Sequence, residues 1–127
     1  MKSKGRGLLI VVILGLLVLS VTVLSSVGRA SDQTVGVLAL TKRLKDDDAG
    51  FRSLAAYALG QLGPAARDAV PDLTEALQDS NHKVRSSSAY ALGRIGSSAQ
   101  SAVPALIRRI GDDEQEVRSS AASALGQ

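Results

Sequence analysis

No cysteine occurs anywhere in the 127 residues. Disulfides, thiolate metal sites, a cysteine nucleophile and lipid attachment at an N-terminal cysteine are all excluded. Tryptophan is missing too, and two Tyr and one Phe make up the aromatic complement. The single histidine, His82, is followed by Lys83 in a polar turn. Without converging ligands it reads as an exposed surface residue, not a metal ligand. Acidic residues are absent from residues 1–30, which hold Lys2, Lys4, Arg6 and Arg29. Residues 31–127 carry eleven Lys and Arg against twelve Asp and Glu. The basic pI of 9.6 therefore belongs to the N-terminal segment, and the rest of the chain is near neutral. A nucleic-acid partner is not expected, because only the Arg108-Arg109 pair hints at a basic face. No Gly-rich phosphate loop, Ser-His-Asp arrangement or paired-carboxylate cleft stands out. No catalytic residue, metal ligand or cofactor site is assigned.

What is present begins with a short basic segment, residues 1–7, followed by an apolar run from Leu8 to Leu24 broken by Gly15, Ser20 and Thr22. Such a run meets a membrane. Its length exceeds a usual signal-peptide core and reaches only the lower limit for spanning a bilayer, so a cleaved signal and a retained anchor both stay open. Gly28-Arg29-Ala30 places small residues where a cut near Ala30, before Ser31, would need them. With Lys2, Lys4 and Arg6 held inside, both alternatives export the remainder, either secreted or periplasmic after cleavage, or membrane-anchored with the domain outside.

The remainder repeats itself. Residues 51–63 (FRSLAAYALGQLG), 84–96 (VRSSSAYALGRIG) and 117–127 (VRSSAASALGQ) stand 33 residues apart, and residues 40–72 share sixteen of 33 positions with residues 73–105. A fixed period of this size marks a repeat array. Val84, Ser88, Ala91, Leu92 and Ile95 fall on one helical face. Ahead of each such helix comes a shorter apolar pattern: Val37, Leu40 and Leu44, then Val70, Leu73 and Leu77, then Val103, Leu106 and Ile110. Each unit reads as a first helix of about ten residues, an acidic turn and a second helix. Pro71 and Pro104 suit the first turn of their helices. Gly60, Gly93 and Gly126 sit inside second helices at a cost of about 1 kcal/mol each against alanine, which implies a neighbour too close for a Cβ. Gly63 and Gly96 read as left-handed helix stops.

One helix pair buries too little to fold alone, so the units must stack. The fold class is all-α, an α-solenoid of three helix pairs after an N-terminal hydrophobic signal or anchor helix. Residues 1–30 form the export segment and 31–127 the repeat domain, with units at about 34–63, 64–96 and 97–127. The third unit keeps Val117, Arg118, Leu125 and Gly126 in register but lacks the positions that hold Ile95 and Gly96. It therefore reads as incomplete, with Ala121, Ala124 and Leu125 uncovered.

Asp and Arg recur six residues apart: Asp46 and Arg52, Asp79 and Arg85, Asp112 and Arg118. The repetition points to a structural ladder of helix caps and ion pairs along the stack, since a catalytic site is singular. A second column runs down the back of the second helices: Ser53, Tyr57 and Gln61, then Ser86, Tyr90 and Arg94, then Ser119, Ser123 and Gln127. Its tyrosines either anchor a partner or cover the gap between adjacent helices.

The pattern Val-Pro-x-Leu followed by Asp79, Val84-Arg85, Ala89, Ala91-Leu92-Gly93 and Ile95-Gly96 resembles the HEAT repeat, and within it the short subclass named after phycobilisome bilin lyases. The likeness covers about residues 34–127. Neither the ankyrin Thr-Pro-Leu-His signature nor the tetratricopeptide aromatic pattern appears. The resemblance implies an all-helical superhelix that holds another protein, with the second helices lining its concave side. Function is expected to be an exported interaction scaffold without catalytic activity. The alternatives are an enzyme of the phycobilin lyase type and a membrane-tethered subunit of a larger complex. The partner is another protein, with the membrane engaged through residues 8–24 if these are retained.

Overall fold

The computed structural model describes residues 32–127. The expected signal or anchor at residues 8–24, with its junction at Ala30, lies outside them. Among the described residues no helix is long and apolar enough to cross a membrane. The chain divides into two compact units, Met1–Thr34 and Val35–Gln127. Asp32, Gln33 and Thr34 of the first are helical.

The second unit is all-helical among its described residues. Helix α1 covers residues 35–43 there, and α2 is Ala49–Leu62, α3 Val70–Ala76, α4 His82–Ile95, α5 Val103–Arg109 and α6 Gln115–Leu125. Helix α4 is the centre, with α2 packed on one flank and α6 on the other, while α3 packs on α4 and α5 on α6. The 33-residue period thus becomes a stack of helix pairs.

The apolar face expected at Val84, Leu92 and Ile95 is buried, together with Leu59, Leu73, Leu77 and Val117. Covering each contributes about 1.5–3 kcal/mol. Alanines at 55, 56, 89, 91 and 121 on the second helices are buried. The two glycines inside α2 and α4 show why no larger residue stands there. A Cβ on Gly60 would lie 3.0 Å from Ala91 Cα, and one on Gly93 2.9 Å from Ala124 Cα. Gly126 is different: the atoms nearest an added Cβ are carbonyls of its own helix, at 3.6 Å. Among the described residues nothing packs beyond α6 at that position.

Several expectations need correction. The first helices of the second and third pairs, α3 and α5, are seven residues long and are preceded by 3-10 segments, Gly63–Ala69 and Gly96–Ala102, while α1 keeps about the expected length. The turn is made by Gly63 at φ 59, ψ −135 and Gly96 at φ 78, ψ −136. This is not the left-handed helical stop but an extended positive-φ conformation that essentially requires glycine, and it sends the chain straight into 3-10 turns. Asp46, Asp79 and Asp112 do not cap the helices themselves, whereas Asp48 of the first acidic turn does. Asp48 caps α2 by accepting from Gly50 and Phe51 N–H, and Asn81 caps α4 by accepting from Lys83 N–H. Asp79 and Asp112 stand two residues before the cap and accept the backbone N–H of Asn81 and Glu114, tightening the turn that leads into the helix. His82 is half-buried in the first turn of α4, not exposed. Ile110 is 45% exposed where its counterparts Leu44 and Leu77 are buried, and Ala121 is fully buried under its neighbours. Ala124 and Leu125 are partly covered.

Candidate interaction surface

The Asp/Arg column forms the joints between successive pairs. Arg52 donates Nε to Asp79 Oδ2 at 2.8 Å and Nη2 to Asp79 Oδ1 at 2.9 Å. Its Nη1 reaches back to the carbonyls of Asp46 and Asp47 at 2.9 and 3.0 Å. Arg85 repeats the geometry on Asp112 and on the carbonyls of Asp79 and Ser80. The planar guanidinium fork fits both tasks, with one edge on the carboxylate of the next unit and one nitrogen closing its own turn. Inside a unit, then, Arg meets the backbone of its Asp. The carboxylate it grips lies 27 residues on.

Burial and charge act together here. Asp112 is 2% exposed at its side chain, and Arg109 adds a contact at 3.1 Å. Hydrogen bonds from Arg85 hold its carboxyl down at about 2, against the opposing effect of burial. In Asp79 burial is the largest single influence and pushes the carboxyl up, but the Arg52 and Asn81 hydrogen bonds outweigh it and leave it lowered. Arg118 donates Nη1 to the carbonyls of Asp112 and Asp113. Asp46 accepts the Asp48 N–H and lies 3.6 Å from Arg43. These carboxylates and guanidiniums hold the stack together and hold each other.

The second column splits in two. Ser53 and Ser86 turn into the joints: Ser53 Oγ is 3.2 Å from Ser87 Oγ, and Ser86, 5% exposed, bonds Ser120 Oγ at 3.0 Å and Glu116 at 3.3 Å. They are held between helices, not on an open face. Tyr57, Gln61 and Arg94 are exposed and Tyr90 is half-buried. The two rings stack with centroids 5.3 Å apart and planes 17° from parallel, and Gln61 Nε2 donates to the Tyr90 hydroxyl at 3.0 Å. A ring packed along the stack and a ring presented to solvent are thus the same ring. A polar hollow of about 360 Å³ beside Leu44, Lys45, Asp72, Glu75 and Asp79 is crossed by ion pairs from Lys45 to Asp72 and Glu75. Among the described residues no cluster of His, Cys, Asp and Glu could hold a metal ion.

A family model of HEAT repeats matches residues 37–126, the greater part of the chain. The chain belongs to the HEAT repeat family. No curated protein sequence matches it. Its fold is similar to that of an engineered protein known from a crystal structure, with a TM-score of 0.65 and 28% identity. The likeness covers 76% of this chain and 48% of that one, so the chain spans about half the length of that protein. As a HEAT repeat protein the chain is a helical scaffold of the kind that mediates protein–protein interaction. The cap at Asp48 falls in the acidic turn where the sequence puts one, whereas the cap at Asn81 and the burial of Ser86 are not read from the sequence. Asn81 carried a readable signal, a capping side chain directly before the helical run.

Proposed function

We propose that this HEAT array is a non-catalytic scaffold that binds another protein through the exposed edge of its second helices, at Tyr57, Gln61, Tyr90 and Arg94. The observation that carries the reading is the pair of stacked rings. They form a rigid aromatic platform beside exposed Gln61 and Arg94, and rigid aromatics with adaptable polar neighbours are what binding surfaces favour. The polar groups best suited to chemistry are committed to the joints, which supports binding over catalysis. Replacing Tyr57 and Tyr90 together with alanine is expected to weaken partner binding at least tenfold while helical content stays nearly unchanged; a tenfold loss corresponds to about 1.4 kcal/mol. Retained affinity contradicts the reading. Loss of the fold assigns the rings to packing alone.

The same reading places the three pairs outside the cell membrane, either released after a cut near Ala30 or tethered through residues 8–24. The motive is the basic and apolar order of residues 1–24. Mass spectrometry of membrane and soluble fractions is expected to find a chain starting near Ser31 or one retaining Met1 in the membrane. Full-length protein in the soluble cytoplasm overturns the export proposal.

A further inference from the structure

We propose that the slot over Gly93 is the receptor for a tyrosine side chain of the partner protein. This deepens the scaffold reading and rests on it. The reasoning is one of register between two joints built from the same sequence pattern. In the first joint, Tyr90 lies across Gly60, where an added Cβ would stand 2.9 Å from Tyr90 Cε1 and 3.0 Å from Cδ1. The same ring stacks on Tyr57 and accepts a hydrogen bond from Gln61. Glycine, stacking ring and amide donor together make a seat, and Tyr90 fills it.

The second joint rebuilds the seat one period on. Gly93 takes the place of Gly60, Tyr90 the place of Tyr57, and Arg94 the place of Gln61. The residue that should fill it is Ser123, a hydroxymethyl where the preceding unit has a phenol. The space left behind is a hollow of about 180 Å³, open to solvent and lined by Tyr90, Gly93, Ser119, Ser123, Ala124 and Gln127 among others. An enclosed apolar cavity of roughly 150 Å³ takes up benzene, so the volume here suffices for one ring. The hollow is bounded by an aromatic ring and by hydroxyls and an amide, so a hydrated slot that favours a planar guest with a polar tip fits it better than a purely apolar one. Offset stacking on Tyr90 gives the guest ring its orientation. Arg94, an exposed donor at the position of Gln61, gives the guest a reason to carry a hydroxyl. The expected occupant therefore extends the Tyr57–Tyr90 stack by one ring.

The test uses N-acetyl-tyrosinamide as the probe, titrated into the isotopically labelled full chain and followed by amide chemical shifts. Saturable shifts confined to Tyr90, Gly93 and residues 119–124 are expected, with N-acetyl-phenylalaninamide binding about fivefold more weakly for want of the hydroxyl hydrogen bond. Ser123→Tyr, which fills the seat from within, is expected to abolish the shifts, and Ser123→Ala to keep them. Absence of shifts at the slot in the wild-type chain overturns the proposal without reference to any variant, as does equal binding by Ser123→Tyr of intact helical content. A chain that ignores the probe yet still binds its partner through Gln61 keeps the scaffold reading and loses this one.

Discussion

Ser88 is fully buried, and among the described residues its hydroxyl has no hydrogen-bond partner. The equivalent positions in the neighbouring pairs are Ala55 and Ala121, both buried, so the site is shaped for a methyl group. Leaving a buried hydroxyl unpaired costs about 1–3 kcal/mol. Ser88→Ala is expected to raise stability by about 1 kcal/mol in denaturant unfolding, and a loss of stability would show that the hydroxyl is satisfied after all. Asp112 supplies a second test at this scale. Its carboxyl titrates at about 2 when folded and near 3.8 otherwise, so the unfolded chain takes up the proton first as pH falls. The resulting contribution, about 2 kcal/mol, is complete above about pH 5 and is lost as pH drops through 4 towards 2. Asp112→Asn is expected to lower stability at neutral pH and to flatten that acid limb. Parallel limbs for the two proteins would contradict the assignment. Residue-scale detail was also where the sequence was least legible. A helical wheel placed Ser86 with Tyr90 and Arg94, but it describes an isolated helix. Helix α4 is flanked on both sides, so only the outermost part of that column stays open.

At the scale of the element, recurrence carried the information that single residues lacked. Three glycines in the same helical position implied a close neighbour, and for Gly60 and Gly93 the neighbours are Ala91 and Ala124. Gly93→Ala is expected to destabilise the stack by about 1–3 kcal/mol, the cost of forcing extra volume into a packed contact. Gly126→Ala, in an α-helical conformation at φ −83 with open space across from it, is expected to be neutral or slightly stabilising. Equal effects would mean that helix contact does not set the glycine requirement. The joints invite the same comparison. Arg85 makes two bonds to the Asp112 carboxylate and two to its own turn, whereas among the described residues Arg118 makes only the backbone pair. Arg85→Ala leaves the buried carboxylate with Arg109 and the Glu114 N–H in place of its two-pronged partner and is expected to cost about 3 kcal/mol, with Arg118→Ala costing clearly less. Spacing along the chain revealed the Asp/Arg column but not its direction, because a bond to a residue 27 positions on depends on how two units are stacked.

For the whole molecule, a stack held by nearest-neighbour joints should lose order from its less supported side. Helix α4 is packed between α2 and α6, while α6 packs on α4 and α5. Amide exchange is expected to protect residues 82–95 more strongly than 115–125, and equal protection would mean that α6 is secured in a way its contacts do not show. The all-helical repeat architecture was legible because the 33-residue period, the helical face and the obligatory stacking all followed from the same residues. The partner was not, since a repeat pattern specifies how units join one another and leaves the chemistry of the open edge free. The account therefore turns on where a partner touches. The most direct measurement is site-specific photo-crosslinking from the full chain in its native host, with the crosslinker placed at Gln61 or Arg94 on the ring-bearing edge and, for comparison, at Arg67 in the 3-10 segment. The prediction is one discrete protein adduct from both edge positions that disappears in the Tyr57→Ala/Tyr90→Ala protein, and none from Arg67. An adduct from Arg67 with none from the edge, or edge adducts that survive the double substitution, would contradict it.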